Sequence, residues 1–70
     1  MTQKERILQF MNDFGSITQA QASYELGVSR LAARINDIRR DGIPIRSQTK
    51  CGFNRYGEKV YFSEYSIIKD

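Results

Sequence analysis

The spacing of apolar residues divides the chain into a helical first part and a strand-like second part. Up to about residue 42, apolar positions recur every three or four residues, which is the period of an amphipathic helix. From Ile43 onward they alternate with polar positions, as in a strand with one buried face. The pattern predicts three helices followed by a β-hairpin, which is an α+β architecture.

The first helix is predicted at about residues 3–14. Thr2 and Glu5 have the spacing of a capping box, in which each side chain binds a backbone amide of the other residue. Gly15 supplies the left-handed conformation that ends many helices. The apolar face is predicted to consist of Ile7, Phe10, Met11 and Phe14.

Two further helices are predicted on either side of a tight turn. The second begins after the N-cap residue Thr18 and ends at Gly27, and Val28 then fills the turn. Ser29 is expected to cap a third helix of about residues 30–41. The buried stripe of that helix is predicted to comprise Leu31, Ala32, Ile35 and Ile38.

The second part of the chain predicts a hairpin. A strand begins at Ile43–Ile45, where Pro44 confines it to an edge or to its first residues. Residues 50–57 are interpreted as a loop, with the hairpin turn at Asn54–Gly57. Val60 and Phe62 alternate with polar and tyrosine neighbours in the returning strand.

Residues 18–30 have the order of features that is typical of a helix-turn-helix. A short helix with small residues is followed by a glycine turn, a hydrophobic plug and a new N-cap. The same order also occurs in helix corners that bind no nucleic acid. A basic hairpin comes directly afterwards, so the sequence predicts a single winged helix-turn-helix domain over residues 1–70 that binds double-stranded DNA.

Charge is distributed unevenly along the chain, although the net charge is only +3. Residues 30–59 carry eight basic and three acidic side chains, whereas the remaining residues carry three basic and five acidic ones. A basic segment on a slightly acidic support suits a polyanionic partner. An ordinary solvated surface is the alternative interpretation.

Base contacts are predicted on the outer side of the third helix, because arginine pairs with guanine and asparagine with adenine. Arg34 also lies close enough to the apolar stripe to extend toward a carboxylate. Asp37 fits an ion pair with a neighbouring arginine better than a contact with cytosine. The predicted recognition residues are Ser29, Arg30, Ala33, Arg34, Asn36, Asp37 and Arg40.

Contacts with the DNA backbone are predicted at two further places. The start of the second helix offers Thr18, Gln19 and Gln21 near a positive dipole end, where a phosphate is favoured. Capping explains Thr18 and Ser29 equally well. Three cations are predicted at or beside the hairpin tip, namely Lys50, Arg55 and Lys59. They would either contact phosphates or remain solvated.

The run Arg30–Ile35 (Arg-Leu-Ala-Ala-Arg-Ile), followed by Asp37–Arg39, resembles a family of small helix-turn-helix proteins common in phages and prophages. The Thr2–Lys4 start, the Gly15–Thr18 link and the hairpin from Tyr56 to Tyr65 are also similar. The resemblance covers nearly the whole chain. It implies a DNA-binding role by analogy of fold.

Catalytic chemistry is not expected. The chain has no histidine, Cys51 is its one cysteine, and the carboxylates have no metal-ligand spacing. We therefore expect no metal, no cofactor, no small-molecule ligand and no enzyme activity. No apolar run is long enough for a membrane span, and a cytoplasmic protein is expected.

The leading hypothesis is a transcriptional regulator of a phage or mobile element that acts as a monomer or as a dimer assembled on DNA. One alternative is a recombination directionality factor that bends attachment sites. Another is a protein-binding phage module that inhibits a host polymerase or nuclease, with Tyr56, Tyr61 and Tyr65 as anchors.

Overall fold

The computed structural model describes residues 1–69 and places three helices and a short strand ahead of a long hairpin. The helices are α1 (Gln3–Phe14), α2 (Gln19–Leu26) and α3 (Leu31–Arg40). The strands are β1 (Ile17–Thr18), β2 (Ile45–Phe53) and β3 (Lys59–Ile67). The predicted order of three helices and a hairpin is confirmed, and β1 is an additional element.

The start of α1 is closed by the predicted capping box. The backbone amide of Thr2 donates to Glu5 Oε1 at 3.1 Å, and Thr2 Oγ1 accepts from the Glu5 amide at 3.2 Å. The Thr2 amide, and then its hydroxyl, stabilise the ionised carboxylate and lower the pKa of Glu5. Gly15 ends the helix at φ 89°, as predicted.

The three strands form one antiparallel sheet in the order β1-β3-β2. Ile17 pairs with Tyr65, so the segment that was expected to be a link is a strand. β2 pairs with β3 from Ile45 opposite Ile67 to Phe53 opposite Lys59. The prediction of a loop from residue 50 was wrong, because cross-strand pairing extends β2 to Phe53 and leaves a loop of residues 54–58.

The core joins one face of each helix to the base of the sheet. Its buried side chains are all apolar: Ile7, Met11, Ile17, Ala22, Val28, Leu31, Ile35, Ile38 and Ile45. Two residues predicted in the core are exposed. Phe14 is 71% exposed, and its ring lies beside that of Phe10, at a centroid distance of 4.7 Å, while Phe10 is the ring that packs against the core. Ala32 is exposed at the edge of the α3 stripe.

The hairpin extends well beyond the core. From residue 46 to residue 63 every residue is exposed, apart from half-buried Gly52. Nine residues of extended strand span about 30 Å, so the tip lies far from the helices. The helices of residues 1–69 are too short and too polar to traverse a bilayer.

Removing the charge of Glu5 should make the domain less sensitive to acid. Because the folded pKa of Glu5 is lowered, its ionisation stabilises the fold above the ordinary carboxyl pKa, and this contribution is lost as the pH falls through the lowered value. We expect the urea midpoint of Glu5→Gln to fall less between pH 6 and about pH 3 than that of the wild type. Equal acid dependence of the two proteins would contradict the proposed charge effect.

Candidate nucleic-acid interface

The side chain of Gln19 holds the turn between α2 and α3. Its Nε2 donates to the Val28 carbonyl at 3.0 Å and to Ser23 Oγ at 2.9 Å. Its Oε1 accepts from the backbone amide of Leu31 at 3.0 Å. The amide groups in the first turn of a helix have no partner within the helix, so Gln19 supplies an acceptor that α3 otherwise lacks.

Ser29 does not cap α3, which corrects the sequence prediction. The N-cap position is occupied by Arg30, whose side chain makes no capping hydrogen bond. The acceptor for the first turn comes from Gln19, twelve residues earlier than Leu31, so a search for local capping signals misses it. Ser29 is exposed, and its contact with DNA stays a prediction.

The start of α2 is a second capping box. Thr18 Oγ1 accepts from the Gln21 amide at 3.3 Å, and the Thr18 amide donates to Gln21 Oε1 at 2.9 Å. Thr18, Gln19 and Gln21 therefore all have intramolecular partners. Contacts between these residues and phosphate stay predictions, and a contact by the Gln19 amide would compete with the bonds that hold the turn.

The outer side of α3 divides the predicted recognition residues into two groups. Leu31, Ile35 and Ile38 are buried on the inner side, which confirms that part of the stripe. Three predicted recognition residues on α3 or at its N-cap are exposed, namely Arg30, Asn36 and Arg40. Three others are half-buried, namely Ala33, Arg34 and Asp37.

Asp37 lies between two arginines. Its carboxylate is 3.3 Å from Arg34 Nε and 3.5 Å from Arg40 Nη1. Arg34 Nε is buried and its N–H is not aligned to donate a hydrogen bond, so this contact is an ion pair by proximity. Asp37 thus pairs with arginines in the free protein, while the Arg40 side chain remains 80% exposed.

The arginines of α3 differ in what they contact. Arg30 is exposed and has no acidic partner within ion-pair distance among residues 1–69. Arg39, which the sequence analysis did not single out, donates from Nη2 to the Ile45 carbonyl at 3.0 Å. This bond connects the last turn of α3 to the start of β2. No local sequence signal points to it, because its acceptor is a backbone group placed by the tertiary fold.

The three predicted wing cations do not lie on one face of the hairpin. Lys50 is opposite Phe62, and its Nζ is 4.0 Å from Glu64 Oε1. Lys59 lies on the other face, because successive side chains of a strand alternate, and its Nζ is 5.6 Å from the centre of the Tyr61 ring. Arg55 belongs to the loop at the tip.

Asn54 is a residue that the sequence analysis used only to mark the turn. Its Oδ1 accepts from the amides of Tyr56 and Glu58 at 2.9 and 3.0 Å, and its Nδ2 donates to Glu58 Oε1 at 3.1 Å. Asparagine followed three residues later by glycine is the signal for such a turn. Gly57 has φ 76°, as the predicted turn requires.

A family model described as a winged helix-turn-helix domain matches residues 2–69, a range that includes all three helices and all three strands. No curated protein and no solved structure matches the chain.

Loss of the Gln19 side chain should destabilise the domain through the turn. We expect Gln19→Ala to lower the free energy of unfolding by about 1–3 kcal/mol, because the Leu31 amide loses its acceptor in a partly buried setting and the Val28 carbonyl is left with the Ser23 hydroxyl at 3.3 Å. Gln9→Ala is the matched control, since its exposed amide contacts only Asp13 among residues 1–69, and it should change stability by less than about 0.5 kcal/mol. Urea denaturation of both variants measures the difference, and similar losses would contradict the assigned role.

Proposed function

The chain belongs to the winged helix-turn-helix family, and from this membership we propose that it is a site-specific double-stranded DNA-binding protein. The observation that carries the proposal is the polar outer side of α3, where Arg30, Asn36 and Arg40 are exposed beside a basic hairpin. Winged helix-turn-helix domains typically bind DNA through these two elements.

In the proposed complex α3 enters the major groove, which is about 12 Å wide and accommodates a helix. Arg30, at the N-terminal end, is the residue best suited to pair with guanine, and Asn36 is suited to adenine. Asp37 orients Arg34 and Arg40 through its two ion pairs. We therefore propose that Arg34 contacts DNA with a guanidinium that Asp37 already restrains in the free protein.

Phosphate contacts supply the part of the affinity that does not depend on sequence. We assign them to Lys50, Arg55 and Lys59 of the hairpin, and to the start of α2 at Thr18 and Gln21. Such contacts release counterions from the DNA, so binding should weaken steeply as the salt concentration rises. The two faces of the hairpin carry different cations, which suits a hairpin lying along a groove with phosphates on both sides.

The biological role that we propose is transcriptional regulation in a phage or mobile element. The resemblance of the Arg30–Ile35 run to small phage helix-turn-helix proteins supports it. A domain of this size would act as a monomer or as a dimer assembled on DNA. We propose binding and not catalysis as its activity.

A recombination directionality factor would use the same surface. Phased footprints beside an integration site would distinguish such a factor from a regulator with one operator.

A second candidate function is a module that binds a host protein. Exposed aromatic rings on the hairpin, at Phe53, Tyr56 and Tyr61, favour it, because aromatic residues are common anchors in protein interfaces. Selection from a pool of random duplexes separates the two functions. Enrichment of a shared motif supports DNA binding, whereas no enrichment at low salt would leave the protein-binding function as the better explanation.

Truncation of the two arginines at the start of α3 should remove most specific binding. We expect the double variant Arg30→Ala, Arg34→Ala to lose about 1–3 kcal/mol per arginine against a selected duplex, and its salt dependence to decrease. Fluorescence anisotropy at several salt concentrations measures both quantities. Arg6→Ala removes an exposed arginine of α1 and is the control that should bind normally. Unchanged affinity and salt slope in the double variant would refute the assignment of α3.

A further inference from the structure

The tip of the hairpin is a rigid turn. Asn54 makes both backbone bonds across the loop, with its amide donating to the Glu58 carbonyl at 3.0 Å and its carbonyl accepting from the Gly57 amide at 3.1 Å. Its side chain adds two bonds from loop amides and one to the Glu58 carboxylate. The backbone of residues 54–58 is thus fixed by bonds that converge on a single residue.

This turn presents two side chains outward. Arg55 and Tyr56 occupy its central positions, and the ring of Tyr56 is 81% exposed. Among residues 1–69, neither the guanidinium of Arg55 nor the hydroxyl of Tyr56 has a hydrogen-bond or ion-pair partner. A cation and an aromatic ring therefore occupy adjacent, exposed positions of the loop, on a backbone that is held by the hydrogen bonds of Asn54.

We propose that Arg55 and Tyr56 enter the minor groove of the bound duplex, and that the Tyr56 ring inserts at a base step and bends the DNA. The inference rests on the proposed function, since it requires that the chain binds double-stranded DNA. It goes beyond a phosphate contact by the hairpin, because it assigns a deformation of the DNA to one side chain.

Physical properties of the tip support this assignment. Arginine is attracted to the strong negative potential of a narrow minor groove. Apolar side chains that wedge between base steps unstack them and kink the duplex. The fixed turn lowers the entropy lost when the two side chains are immobilised. Glu58, the one acidic residue of the loop, lies at its last position and not at its centre, and its Oε1 accepts a bond from Asn54.

The length of the hairpin is consistent with this position. β2 and β3 are each about 30 Å long from their base in the core at Ile45 to the tip, within a molecule whose longest dimension is 38 Å, and the grooves of DNA are about 6–12 Å wide. Lys59, opposite Phe53 at the last strand pair, places a second cation behind the tip.

The test uses a selected duplex carrying a donor dye at one end and an acceptor at the other. Wild-type protein should increase energy transfer between the ends and should make thymines at the insertion step hyperreactive to permanganate, which oxidises unstacked thymine. Tyr56→Ala should abolish both signals while its affinity falls by about tenfold, the loss expected for one aromatic–base stack. Tyr56→Phe should retain both signals, because the ring and not the hydroxyl inserts.

Tyr24→Ala is the matched control, since Tyr24 is an 89% exposed tyrosine on α2, outside α3 and the hairpin. It should bend the duplex as the wild type does. If the wild type binds without bending, or if Tyr56→Ala bends the duplex normally, the inference is overturned while the proposed function stands. If the wild type binds no duplex, the proposed function itself fails.

Asn54→Ala tests the contribution of the rigid turn with Arg55 and Tyr56 left intact. The variant lacks the acceptor for the amides of Tyr56 and Glu58. We expect the bend to decrease and the affinity to fall about threefold to tenfold, because the two side chains must then be ordered on binding. Wild-type bending by Asn54→Ala would overturn the role of the turn.

Discussion

A primary amide joins the start of α2 to the start of α3, and the direction of α3 depends on it. Gln19 donates to the Val28 carbonyl and accepts from the Leu31 amide, so both sides of the turn are bound to the same side chain. Val28 is buried beneath the turn, and Gly27 adopts the left-handed conformation that the sharp change of direction requires. Because α3 has no side-chain cap at its own N-terminus, its outer surface is oriented through a residue of α2.

The elements that were correctly predicted have signals that lie close together in the sequence. The pair Thr2 and Glu5 defines the start of α1 within four residues, and Thr18 does the same for α2. The errors involve distant partners. Strand β1 exists because Ile17 pairs with Tyr65, and β2 reaches Phe53 because β3 returns beside it. Neither pairing can be read from local alternation, since β-structure is determined by cross-strand neighbours as much as by composition.

In the candidate site, too, the features with local signals were predicted and those with distant partners were not. Helical periodicity placed Arg30, Asn36 and Arg40 on the outer side of α3, and they are exposed. The ion pairs of Asp37 with Arg34 and Arg40 were among the alternatives, because they lie at a spacing of three residues on one helix. The bond from Arg39 to the Ile45 carbonyl could not be predicted, since it depends on where β2 begins relative to α3. Local geometry thus identifies the surface, and tertiary contacts determine how it is held.

Thr18 connects the two proposed DNA-binding elements. Its side chain caps α2, while its backbone pairs with Glu64 in the sheet, so the helix-turn-helix and the hairpin are joined at one position. The bond between Arg39 and Ile45 joins them a second time, in the last turn of α3. The two connections, one at the start of α2 and one in the last turn of α3, resist rotation of the hairpin relative to the helix-turn-helix, whereas a single connection would act as a hinge. The fold then fixes the distance between α3 and the hairpin tip. A duplex that accepts α3 in one groove must therefore adapt its shape to the hairpin. Part of the protein's sequence preference would arise from how readily each DNA sequence bends.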